Sequence, residues 1–164
     1  MKLTNLGYKQ EGTIGPFKDE YSFLSNFYPC VVELGYIKYP SSEHAYQAYK
    51  YKSERSRRLI ANLPTPGKAK KAGRGIGIPD DMLDDKWAED DWIKESKNVM
   101  LKVLRAKFEQ NPELTKKLLA TGNCSLVEKN YWHDNFWGVC ICKNCREGKN
   151  NLGKLLMQIR KELG

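Results

Sequence analysis

The sequence predicts a helix-rich α+β fold, a single domain read from end to end, and three observations carry that reading. Apolar residues recur at helical spacing over two stretches, with Met100, Leu104 and Phe108 at i, i+4, i+8 and Leu152, Leu155, Leu156, Ile159 and Leu163 on one face. The β-rich runs are short and sit between Cys30 and Tyr39 and again after Thr121. No repeat, low-complexity tract or linker divides the 164 residues, a length that suits one domain burying roughly two thirds of its unfolded surface.

Taken in order, residues 1–19 form a lead segment and the domain proper covers 20–164. Tyr21 to Phe27 leads into Cys30-Val31-Val32-Glu33-Leu34, then Gly35, then Tyr36-Ile37-Lys38-Tyr39; two such runs around a glycine read as a hairpin. Pro40-Ser41-Ser42 stops the second strand and offers Ser41 or Ser42 as an N-cap. One helix is expected from about 42 to 62, ending before Pro64. Pro64-Thr65-Pro66-Gly67 reads as a turn, Lys68 to Ala72 as a short helical segment, and Gly73-Arg74-Gly75-Ile76-Gly77 as a flexible loop. A long helix is expected from Asp90 to Glu109. Asn111-Pro112, cap then proline at the first helical position, restarts a helix that ends near Thr121-Gly122. Cys124 to Glu128 and Phe136 to Ile141 read as short strands, and Asn150 or Asn151 caps the last helix.

Composition narrows the class. No apolar stretch approaches the roughly 20 residues that span a bilayer, and Met1 to Gln10 lacks the apolar core of a signal peptide; the expectation is a cytoplasmic protein without a membrane. Five cysteines, an odd number, argue against a secreted disulfide framework. Cys140, Cys142 and Cys145 stand in C-x-C-x-x-C spacing, and His133 or Cys124 would complete four ligands for zinc. Without a second C-x-x-C, reduced thiols are the preferred reading, so no metal or cofactor is assigned and these three cysteines stand as the candidates for one.

The net charge of +8 is unevenly spread. Lys50, Lys52, Arg55, Arg57, Arg58, Lys68, Lys70, Lys71 and Arg74 face only Glu54 between residues 50 and 74, whereas 80–91 is acidic. A basic block of this kind favours a phosphate-bearing partner, a nucleotide or a nucleic-acid backbone, with a merely solvated helix face an equally good reading of the charge pattern alone.

The chemistry-bearing residues follow. Glu43, Gln47 and Lys50 fall at i, i+4 and i+7, one helical face, with Tyr46, Tyr49 and Tyr51 around them. Glu43 lies in the first helical turn, where the dipole favours a carboxylate and should hold its pKa down. Such a group suits stabilising a cation better than donating a proton, although on spacing alone a helix-cap acid is the commoner explanation. Asp134 lies in the aromatic loop Tyr131-Trp132-His133-Asp134-Asn135-Phe136-Trp137-Gly138, where a turn acid is the ordinary reading. Two carboxylates and a stacking ring, which Trp92 could supply, are the minimal apparatus for breaking a ribosyl C–N bond through an oxocarbenium-like transition state. Gly73-Arg74-Gly75 behind Lys70-Lys71 could grip a phosphate through the guanidinium fork; it is neither a Walker motif nor a dinucleotide fingerprint.

In order along the chain, Phe23-Leu24-Ser25-Asn26-Phe27, Tyr39-Pro40-Ser41-Ser42-Glu43-His44-Ala45-Tyr46-Gln47-Ala48, Ala69-Lys70 with Gly73-Arg74, Trp92, Leu104-Arg105-Ala106-Lys107-Phe108, Asn111-Pro112, Trp137-Gly138 and Gly148-Lys149-Asn150 closely resemble the NADAR (YbiA-like) family. The resemblance covers residues 20 to 161. It implies a YbiA/NADAR-like fold and an N-glycosidase that hydrolyses a ribose C1′–N bond. Glu43, Trp92 and Asp134 fall on the family's essential positions, and Lys50 joins them as a possible imine-forming amine. Asn26, Phe27, Gln47, Lys70, Gly73, Arg74, Trp137, Gly138 and Asn150 are the candidates for binding a phosphorylated ribosyl or ADP-ribosyl substrate. The basic block and Lys70 favour ADP-ribose on guanine in nucleic acid. Phosphoribosylaminopyrimidine intermediates of riboflavin synthesis are the alternative substrate, and a non-catalytic ADP-ribose-binding module is the alternative class. The cysteine cluster, where a simple glycine-rich loop is the family pattern, is a departure. Nothing in the sequence speaks to oligomeric state.

Overall fold

A computed structural model of the chain describes residues 12–164, so the lead segment before Gly12 lies outside the described residues. In chain order the elements are β1 (Thr13–Ile14), β2 (Pro29–Leu34), β3 (Ile37–Ser41), α1 (Ser42–Ala48), α2 (Glu54–Ala61), α3 (Pro66–Gly73), α4 (Glu89–Gln110), α5 (Pro112–Ala120), β4 (Ser125–Leu126), β5 (Lys129–Asn130), β6 (Val139–Cys140) and α6 (Asn151–Leu163). The helix-rich α+β class read from the sequence is the one observed. Two compact units share these elements: Asn26–Asn111, and the flanking chain through Ser25 and over Pro112–Gly164. No helix among the described residues is long and apolar enough to cross a membrane.

In the Asn26–Asn111 unit, β2 and β3 form the expected hairpin, with Leu34 opposite Ile37. Gly35 and Tyr36 make a two-residue turn with both φ values positive, 56° and 64°, the geometry that matches strand twist and that glycine favours. Ile37, Tyr39 and Ser41 alternate inward along β3. Ser41 is the N-cap of α1, its Oγ accepting the His44 N–H at 3.2 Å. Every residue of α1 is buried, because the hairpin, α2, α3 and α4 all pack around it. Val32, Tyr39, Ala45, Ala48, Ile60 and Val103 belong to the shared apolar core.

The single helix expected over 42–62 is two helices. α1 stops at Ala48 and α2 starts at Glu54 behind Ser53, whose Oγ accepts the Ser56 N–H. Between them the chain runs extended against residues 85–87: Tyr51 bridges Lys86, the Lys52 N–H donates to Asp85 O at 2.8 Å, and the Trp87 N–H donates to Lys50 O at 2.9 Å. Tyr49-Lys50-Tyr51-Lys52 alternates aromatic and basic residues, a period of two that suits this extended run. The expected turn at 64–67 also gives way. Thr65 caps α3 through the Lys68 N–H and Pro66 is its first helical residue, a position where a missing N–H costs nothing. α4 runs one residue beyond the expected bounds at each end. Its terminal Gln110 accepts from Glu33 N–H at 2.7 Å and donates to Glu33 O at 2.9 Å, clasping the open edge of β2.

In the other unit, β1 pairs with β4 and β5 with β6, both parallel. β1 has no local sequence signal, since its partner lies more than a hundred residues on. The short strands expected at 124–128 and 136–141 appear as β4 and β6, whereas β5 falls just beyond the first range and was not expected. Asn150 stands at the N-cap position of α6 with φ 51° but does not cap with its side chain. Its Nδ2 donates to Leu126 O at 2.9 Å and its Oδ1 accepts the Glu128 N–H at 3.0 Å. It clamps the β4–β5 connection, while the α6 end is met by Phe136 and Trp137 carbonyls.

Candidate active site

Glu43 is held in the first turn of α1, where its N–H donates to Asn26 O at 2.9 Å. The adjacent Ser42 Oγ donates to Asn26 Oδ1 at 3.1 Å, so Asn26 fixes the helix entry. Glu43 is only 6% exposed and Gln47 4%. Gln47 Nε2 donates to Glu43 Oε1 at 2.7 Å, the i, i+4 contact that the spacing predicts. A buried carboxylate is costly unless hydrogen-bonded, and Gln47 supplies that bond. His44, the next residue, is also fully engaged: Ser41 Oγ lies 2.7 Å from Nδ1 and Leu63 O lies 2.9 Å from Nε2. Burial lowers its pKa, against the opposing pull of the Leu63 carbonyl, so it serves the scaffold as a neutral ring.

Lys50 is not on the helix. It lies past the Tyr49 C-cap, so the expected i+7 row is corrected to a helix pair plus a turn residue. Its ammonium nonetheless stays with the group, 5.6 Å from the Tyr46 ring centroid and 6.0 Å from that of Trp92. Burial pushes Lys50 down to about 8; Lys86, Arg74 and Lys70 push the same way, and Glu43 opposes them. Trp92, half-buried in the first turn of α4, packs tilted on Tyr46 with centroids 5.4 Å apart. Tyr46, absent from the expected site set, is thus the ring joining Lys50 to Trp92, and it lies on α1 with Glu43 and Gln47.

Gly73 is buried at the end of α3 against Gln47, where an added Cβ would fall on Gln47 Oε1. That oxygen has no hydrogen-bond partner among the described residues. Gly73→Ala should therefore destabilise the protein by about 1–3 kcal/mol through overpacking. In urea denaturation it should be non-additive with Gln47→Ala by roughly 0.5 kcal/mol or more; strict additivity would disprove the contact. Arg74 follows on the exposed surface, and Lys70 lies 5.9 Å from the ring of the exposed Phe27. These are cations available to solvent. An open hollow lined by Val31, Glu33, Tyr36, Lys38, Gln110 and Asn111 contains none of the expected site residues.

Asp134, Trp137, Gly138 and Asn150 form a separate group within the other unit. Asp134 Oδ1 accepts the Phe136 and Trp137 N–H groups at 3.2 and 2.9 Å, and Asn130 bonds the Asp134 backbone on both sides. One carboxylate oxygen is therefore committed to shaping the loop. Gly138 passes so close to Glu128 O and Asn130 Nδ2 that no Cβ fits, and Asn150 N–H donates to Gly138 O at 3.2 Å.

Residues 13–164 match the family model described as the NADAR domain. The chain is 36% identical over 149 residues to the N-glycosidase YbiA of Escherichia coli strain K12, covering 88% of this chain and 83% of that one. It is 34% identical over 145 residues to a riboflavin biosynthesis protein of Vibrio vulnificus, again over 88% of this chain but only 36% of that longer protein. The solution NMR structure of E. coli YbiA superposes with a TM-score of 0.73 at 34% identity, over 96% of this chain and 87% of that one. With a family model spanning nearly the whole chain and a relative this similar, the protein belongs to the NADAR family.

Proposed function

We propose that this protein is an N-glycosidase that hydrolyses a ribose C1′–N bond, and that its substrate is ADP-ribose carried on guanine in nucleic acid. The observation that carries the reading is the buried Glu43–Gln47 pair with the Lys50 amine beside it, over Tyr46 and Trp92. A lysine whose proton is held weakly by burial is a nucleophile at neutral pH. The Lys50 amine attacks C1′, the C1′–N pair leaves on the base, which takes a proton, and the ring opens to an imine between C1′ and Nζ. Water then adds to the imine, releasing the ribose as its aldehyde and restoring the amine. Glu43 steadies the positive charge that develops at C1′ and on Nζ. Trp92 offers a face for the base, and Lys70 with Arg74 attracts the phosphates. Asp134 is a second functional carboxylate in this proposal; Asp134→Asn keeps the oxygen that holds its loop and so isolates the contribution of its charge.

Phosphoribosylaminopyrimidines are the second reading, favoured by the name of the Vibrio relative. ADP-ribosylated guanine DNA and a ribosylaminopyrimidine phosphate, offered in parallel under single-turnover conditions, decide between them. Release of ADP-ribose from the first at the greater kcat/KM is expected. Preference for the second would reassign the substrate, and turnover of neither would leave a binding module. Borohydride added during turnover should trap a ribosyl adduct on Lys50; turnover without an adduct would overturn the imine.

A further inference from the structure

Outside that site, His133, Cys140, Cys142 and Cys145 converge. Their ligand atoms all lie within 4.8 Å of one another. His133 Nδ1 is 3.4 Å from Cys145 Sγ, 3.6 Å from Cys140 Sγ and 3.7 Å from Cys142 Sγ, and Cys142 and Cys145 Sγ are 3.3 Å apart. We propose that these four side chains form a tetrahedral Cys3His site for a structural zinc ion. Tetrahedral zinc with ordinary bond lengths places its sulfurs about 3.8 Å apart and sulfur from nitrogen about 3.6 Å apart. The three sulfur–nitrogen distances bracket that value. Three thiolates and an imidazole are a soft donor set that suits zinc and not magnesium or calcium. All four positions are filled by protein, which marks a structural site over a catalytic one.

The chain around the cluster builds this geometry independently. Pairing of β5 with β6 sets Cys140 opposite Asn130, and the Asn130 side chain grips the Asp134 backbone on both sides. That folds His133 back towards Cys140, with φ 65° at His133, a conformation uncommon outside glycine though less so for histidine. The Cys140 N–H donates to Glu147 O at 2.9 Å, closing the 140–147 loop so that Cys145 returns over Cys142. The sequence left His133 and Cys124 as equal candidates for the fourth ligand; the fold brings His133 and not Cys124 into the group. A Cys142–Cys145 disulfide is the competing reading, but its sulfurs would be about 2.05 Å apart. On binding, the three thiols release their protons and the histidine coordinates through an unprotonated Nδ1. The ion would then tie down a loop that has only two-residue strands for support and that carries Asp134 immediately after His133.

The test is metal analysis of the full chain purified under reducing conditions. One zinc per chain is expected. After removal with a chelator, Co2+ should bind at one equivalent, show the strong visible and near-ultraviolet bands of tetrahedral thiolate coordination, and be displaced by Zn2+. Cys145→Ser and His133→Ala should weaken cobalt binding by more than about tenfold, a scale that even outer-shell losses reach at metal sites. Cys30→Ser and Cys124→Ser should bind as the parent does. Absence of both zinc and the cobalt spectrum overturns the proposal, as does equal loss in Cys124→Ser. An intact mass showing two hydrogens fewer, with Cys142 and Cys145 linked, also overturns it. None of these readouts depends on turnover, so they stand apart from the glycosidase reading.

Discussion

Lys50→Arg should lower kcat on the glycosidic substrate by on the order of a thousandfold or more, the scale on which loss of a covalent nucleophile acts. Arginine keeps the charge and can still lie over Tyr46 and Trp92, but it does not give up its proton and forms no imine. The substitution therefore separates two roles. If Lys50 only balanced phosphate or carboxylate charge, most turnover would survive, and that result would sink the nucleophile. The parent enzyme should also show a diagnostic pH profile. With Lys50 at about 8, about a tenth of it is neutral at pH 7, against about three in ten thousand for an ordinary lysine. In the proposed mechanism the neutral amine attacks, so kcat/KM should rise with unit slope as pH increases towards 8 and level off above it. A profile flat from pH 6 to 9 would remove the amine from the rate-determining step.

Glu43→Gln is the second large effect, with kcat expected to fall about 10²–10³-fold, as when one preorganised electrostatic partner is removed from a transition state. The amide oxygen can still accept from Gln47, so the thermal unfolding temperature should hardly move. A second readout distinguishes chemistry from packing. Glu43 is the group that holds the Lys50 proton on, against burial and three neighbouring cations. Removing its charge should move the rising limb of the residual activity, and the pH at which it levels off, to lower pH. A variant with reduced kcat but an unmoved rising limb would mean that Glu43 acts elsewhere than on Lys50 and its adduct.

Much of this arrangement was readable before any coordinates, and the reason is local. The Ser41 cap, the Gly35 turn and the Glu43–Gln47 contact each depend on residues within a few positions of one another, where propensity and spacing decide the geometry. What was not readable depends on partners far along the chain. The 42–62 stretch read as one helix because it holds no proline or glycine to stop it; the break comes from main-chain bonds to residues 85–87. Asn150 looked like a helix cap by position, but Leu126 and Glu128 claim its side chain. Gly73 read as loop flexibility, whereas it is a close approach to Gln47. β1 gave no sign at all. The cysteine spacing was visible, yet the fourth ligand was not, since choosing His133 requires the β5–β6 pairing and the Asn130 grip.

The interruption at 49–53 bears on how such a protein can change over time. Lys50 is positioned by its own carbonyl accepting from Trp87 and by its neighbour's N–H reaching Asp85, contacts made by backbone atoms that every residue except proline provides in full. The main-chain position of Lys50 is therefore written in a medium indifferent to side-chain identity, although its amine lies over Tyr46 and Trp92. Asp84 is held by its side chain, which accepts from Ser56 Oγ at 2.8 Å, but Lys86 can gain or lose charge and so retune how readily Lys50 sheds its proton while those main-chain bonds stand. In the proposed mechanism reactivity and placement are then separately adjustable, and a lineage shifts its working pH while the main chain of Lys50 stays where it stands.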